Sequence, residues 1–69
     1  MTIEDYRVKL GWSKARLARE AGIDVGTVSD AIAGKRIYKA TAGRIANAIS
    51  KGLGQEITYQ DLQGLNLID

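Results

Sequence analysis

The chain has 69 residues, enough for one domain, and a domain this short buries only roughly 60% of the surface its unfolded chain exposes. It contains no cysteine and no histidine, which excludes disulfides, thiol nucleophiles, Cys/His zinc sites and histidine-based acid–base chemistry. Its net charge of +2 is unevenly placed: ten bases against five acids (Glu4, Asp5, Glu20, Asp24, Asp30) give +5 over residues 1–54, while Glu56, Asp61 and Asp69, with no base, give −3 over residues 55–69.

The apolar spacing is helical throughout, and no strand-like alternation runs for long. A first helix is predicted from about Ile3 to Leu10. Thr2 caps it with Asp5 three residues on, Ile3, Tyr6 and Leu10 share a face, and Gly11 ends it. Ser13 caps a second helix, Lys14 to Ala21, with Leu17, Ala18 and Ala21 inward and Lys14, Arg16 and Arg19 outward. Gly22 follows, suited to a sharp left-handed turn. Asp24 caps a third helix, Val25 to Ala33, with Val28 and Ile32 inward and Ala31 partly so. A fourth helix spans about Ala40 to Lys51, with Ala42, Ile45, Ala46, Ile49 and Leu53 on one side. Thr58 and Asp61 then cap a short fifth helical turn, Tyr59 to Gln63. Residues 1–64 read as the domain and 65–69 as a tail. Its Leu65, Leu67 and Ile68 either pack on the domain or form a dimer seam.

The central segment, Ser13 to Asp30, places two short helices across one glycine turn. Small Ala18 lets the helices approach, and Leu17, Ile23 and Val28 fill the angle between them. This is the layout of a helix-turn-helix unit. The chain here resembles the Cro/phage-repressor (xenobiotic-response-element-like) family. The resemblance rests on Ser13, Leu17, Ala18, Ala21, Gly22 and Ile23, then Thr27-Val28-Ser29, then Gly34-Lys35-Arg36, then Arg44-Ile45-Ala46, Ala48 and Ile49. It covers about residues 3–62, with unbroken spacing through Gly34.

The resemblance implies an all-α, five-helix domain whose second and third helices straddle the major groove, the third presenting its N-terminal residues to base edges. On that mapping Asp24, Val25, Gly26, Ser29 and Asp30 face bases. Ser13, Lys14, Thr27, Lys35, Arg36 and Lys39 meet phosphates. The implied partner is double-stranded DNA, bound by a homodimer.

Several residues depart from the family's habits. Lys14 stands where glutamine is frequent, favouring phosphate or a guanine edge over adenine. The recognition face has no Arg, Asn or Gln, so bidentate readout is sparse. Val25 suits a thymine methyl, Ser29 either base type, and Asp30 either accepts from cytosine N4 or repels the backbone. Gly26 fits two readings: a close approach to DNA, or tolerance near a helix start. The run Lys35-Arg36-Ile37-Tyr38-Lys39 lacks the family's frequent proline. It reads as a phosphate clamp beside the helix pair, or as an exposed loop of solvated charge. Trp12 and Tyr6 read as core, and Arg44 reaches phosphate or pairs locally.

An enzyme is not expected: there is no nucleophile–base pair, no metal set and no cofactor motif. Gly52-Leu53-Gly54 lacks a third glycine and a preceding strand. No apolar run approaches the roughly 18 residues of a membrane span. The N-terminal MTIEDYRVKL has no signal-peptide core, so a cytoplasmic protein is expected. The competing reading is a protein-binding module on the same fold, an antirepressor or an antitoxin component. Its motive is the pair of acids, Asp24 and Asp30, where DNA binders often place amides or bases.

Overall fold

The computed structural model describes residues 1–68. Helix α1, Ile3–Leu10, begins at a reciprocal cap: Asp5 N donates to Thr2 Oγ1 (3.1 Å) and Thr2 N donates to Asp5 Oδ2 (2.9 Å). Its Arg7 forks onto Glu4 (2.5 and 2.9 Å) and donates through Nη1 to the carbonyl of Trp12 (2.7 Å), fixing the corner into α2. Helix α2 spans Lys14–Ala21 and α3 spans Val25–Ile32. Strand β1 covers Arg36–Tyr38, and α4 runs Lys39–Leu53. A one-turn 3-10 helix, Tyr59–Asp61, and strand β2, Asn66–Ile68, complete the described chain.

The first three helices match the predicted spans within a residue. The all-α, five-helix expectation needs correction, because the described residues form four α-helices, a 3-10 turn and a two-stranded parallel sheet. In β1 the alternation is local: Ile37 is buried while Arg36 and Tyr38 are exposed. The supposed loop after α3 is therefore a short strand. It pairs in register Arg36–Asn66, Ile37–Leu67 and Tyr38–Ile68. The fifth helix stops after one turn because Leu62 turns to extended backbone. Gln63 then donates to the carbonyl of Met1 (3.1 Å) and bridges to Thr2, so these backbone groups are satisfied outside a helix. The predicted tail thus lies beside β1, with Leu65 and Leu67 packed on the core; Asp69 lies outside the described residues.

The core gathers on α4. Leu17, Val28, Ile45 and Ile49 are fully enclosed, with Ile3 and Ala42 beside them. Small side chains on α4 (Ala42, Ala46, Ala48) let the other helices come close. In α3, Ala31 is the more buried residue and Ile32 only half-buried, reversing the predicted order. Ser50 staples the segment after α4: its hydroxyl donates to the Ile57 carbonyl and accepts from Ile57 N, each at 2.7 Å.

Trp12 covers the core against α4 as well as between α1 and α2, and its neighbour there is Gly52. A methyl at Gly52 would lie 2.7 and 2.8 Å from two carbons of the Trp12 ring and 2.9 Å from a Leu10 methyl. Alanine gains up to about 1 kcal/mol of helix propensity over glycine, whereas overpacking costs about 1–3 kcal/mol. Gly52→Ala is therefore expected to lower the urea midpoint. A raised midpoint would show that Trp12 moves aside without cost.

Candidate nucleic-acid interface

The helix pair is set by its caps and its turn. Ser13 Oγ accepts from Arg16 N (3.0 Å) and starts α2. Gly22 ends it at φ 71°, in the left-handed region, and Ile23 N then donates to the Ala18 carbonyl (3.0 Å). Leu17 and Val28, both wholly enclosed, lock the angle between α2 and α3, and Ala18 is small enough for close contact. Along α2, Lys14, Arg16 and Arg19 stay exposed as predicted. The Arg16 guanidinium lies 5.0 Å from the centre of the Trp12 ring, a cation–π contact that spacing alone does not reveal.

At the start of α3, Asp24 acts as the cap. Its Oδ2 accepts from Thr27 N (3.2 Å) and its Oδ1 from the Thr27 hydroxyl (2.5 Å). The Thr27 hydroxyl holds the Asp24 carboxyl below the usual carboxylate range; desolvation opposes it, and the backbone amides of Thr27, Asp24 and Gly26 add to the lowering. A methyl on Gly26 would sit 3.0 Å from Asp24 Oδ2. Gly26 therefore has an intramolecular role: it leaves room for the cap. Val25 follows with 48% of its surface exposed.

Further along α3, Ser29 is half-buried and Asp30 exposed. Asp30 Oδ1 lies 3.5 Å from Lys35 Nζ, just beyond the helix end, and the Lys35 amide donates to the Asp30 carbonyl (3.0 Å). Lys35 and Arg36 are exposed, Arg36 on the outer side of β1, and Lys39 is exposed at the first position of α4. Four of the predicted site residues are thus brought together in two pairs that the sequence reading did not foresee, Asp24 with Thr27 and Asp30 with Lys35. In this arrangement the Thr27 proton points to Asp24, so it is not available to a phosphate oxygen.

Among the described residues no helix is long and apolar enough to cross a membrane, and no cluster of acids, histidines or cysteines could hold a metal ion. Two capped helices meeting across a left-handed glycine, one of them with an exposed outer face, define a helix-turn-helix protein. The chain matches the helix-turn-helix family over residues 3–60, most of its length. It belongs to that family, in its Cro and phage-repressor branch, and is a DNA-binding regulator. No curated protein and no solved structure matches it.

The Asp24 cap makes a pH-dependent contribution of known sign. Because the folded carboxyl titrates below its unfolded value of about 3.9, its stabilisation is present above that pH and is lost as pH falls through the folded value. Asp24→Asn keeps a capping oxygen at every pH. Its melting temperature is expected to fall less than that of the wild type between about pH 5 and about pH 2. Equal falls would assign the acid sensitivity elsewhere, Asp5 and Glu4 being the other carboxyls held low.

Proposed function

We propose that the chain is a sequence-specific double-stranded DNA-binding transcriptional regulator, a Cro-like repressor acting as a homodimer with α3 in the major groove. The observation that carries this reading is the exposed outer face of α3, flanked by exposed cations at both ends of the helix pair. Lys14 opens α2, and Lys35 and Arg36 follow α3. On this reading Val25, Ser29 and Asp30 supply side-chain chemistry to base edges, while Asp24 and Gly26 build the helix end that presents them. Ser13, Lys14, Lys35, Arg36 and Lys39 meet the backbone, and Thr27 joins them only by releasing Asp24.

The domain's extents of 27 × 21 × 18 Å allow two copies to sit side by side at the half-site spacing of about 34–36 Å. Residues 65–69 are the proposed seam, and β2 has β1 as its one strand neighbour among the described residues. The rival reading, a module that binds protein, drew on Asp24 and Asp30. Both acids have partners within the domain, so neither calls for a protein ligand.

Selection from a random duplex pool at moderate salt tests the reading. A palindrome with one-turn spacing between half-sites is the expected product. Salt-sensitive retention without enrichment would reject a sequence-specific regulator. Lys14→Ala is expected to weaken binding to all duplexes alike and to lower the slope of log affinity against log salt by about 1. An unchanged slope would remove Lys14 from the backbone contacts.

A further inference from the structure

We infer that Asp30 and Lys35 form a cytosine-reading pair, in which Asp30 accepts from the exocyclic amino group and Lys35 is the positioning residue that makes the carboxylate usable there. The inference rests on the proposed entry of α3 into the major groove. Helix α3 has the sequence VGTVSDAI, without Arg, Lys, Asn or Gln. Asp24 and the Thr27 hydroxyl are engaged with each other at the cap. What remains on the outer face is an apolar group at Val25, a hydroxyl at Ser29 and an acceptor at Asp30.

A carboxylate can only accept, so it needs a donor on the base edge. The major groove offers two, adenine N6 and cytosine N4. Adenine places the N7 acceptor beside its amino group, which repels a carboxylate, whereas cytosine presents no acceptor on that side. Cytosine is therefore the base that fits. The difficulty is the phosphate backbone, whose charge repels an isolated aspartate. Lys35 Nζ, 3.5 Å from Oδ1, offsets that repulsion and leaves Oδ2 for the base.

The free protein gains little from this pair. Its side chains are 69% and 51% exposed, and contacts of that kind contribute little in water. Once DNA displaces the solvent the same charges interact more strongly, so the pair acts mainly in the complex. Lys35 is thereby more than a backbone cation. A plain phosphate contact would weaken all sequences equally, whereas a positioning lysine also sets the discrimination at one base pair.

The test is duplex selection followed by affinity measurement with the wild type, Asp30→Asn, Asp30→Ala, Lys35→Ala and the double variant, each checked by thermal melting. The wild type is expected to require cytosine at one position per half-site by roughly tenfold or more over other bases. Asp30→Asn is expected to move that preference to adenine, the base an amide reads through N6 and N7. Lys35→Ala is expected to erode the cytosine preference, and to affect no base preference once Asp30 is already alanine. A preference that survives in Asp30→Ala overturns the pair, as does a Lys35→Ala loss that is uniform over sequences and the same in both backgrounds. If the wild type enriches no sequence at all, the underlying reading of α3 fails and the pair fails with it.

Discussion

Close approach to α4 is the constraint on which the rest of the domain depends. So short a chain cannot build a thick core, so its contacts must be dense. Helix α4 meets this need with small residues on its buried side. Ala42, Ala46 and Ala48 admit neighbouring helices, and Gly52 admits the face of Trp12. Of the larger side chains that complete the core, Ile45 and Ile49 come from α4 and Ile3 from α1, while Leu17 and Val28 come from the helix pair itself. The angle between α2 and α3 is therefore fixed by the same contacts that stabilise the domain. Presentation of α3 and stability of the fold cannot be varied separately.

That coupling extends to the ends of the helices. Trp12 lies against Gly52, receives Arg16 on its ring, and offers its carbonyl to Arg7. One residue, through its ring and its carbonyl, thus ties α1, the start of α2 and the end of α4. At α3 the ties are polar: Asp24 holds the first turn, and Asp30 reaches Lys35 beyond the last. Asp24 is thus taken up by the cap, whereas the exposed Asp30 keeps an oxygen on the outer surface of α3 beside Val25 and Ser29.

Helix boundaries were legible because their signals are local. Thr2 with Asp5, Ser13, and Asp24 mark starts, and Gly11 and Gly22 mark stops, each within four residues of the group it satisfies. The inward faces of α1, α2 and α4 followed from periodicity. The sheet was not legible, since three residues are too few for a period of two and the partner of Arg36–Tyr38 lies thirty residues away. The same holds for the Ser50–Ile57 staple and for Gly52, whose meaning comes from a tryptophan forty residues earlier. At the candidate site the residue types and order were readable. The pairing of Asp24 with Thr27 and of Asp30 with Lys35 depends on rotamers, which spacing alone does not specify. Gly26 illustrates the difference: both sequence readings looked outward or to propensity, and the structure adds the carboxylate beside it.

If α3 reads the major groove as proposed, its few hydrogen-bonding side chains limit how specificity can arise. On the proposed function, backbone contacts through residues such as Arg36 and Lys39 provide affinity without sequence information. One acceptor, one hydroxyl and one apolar side chain leave most base pairs of a half-site unread by direct contact. On the proposed function two consequences follow from the physics. Doubling the contacts by symmetry is more valuable here than in a protein with several bidentate readers, because each additional good pair contributes only about 1–3 kcal/mol. The remaining discrimination then has to come from how readily the duplex takes the shape that both helix pairs need, which is selectivity at base pairs the protein does not touch. A small domain whose core is closely packed around α4 is suited to that role, since its packing favours adjustment in the DNA.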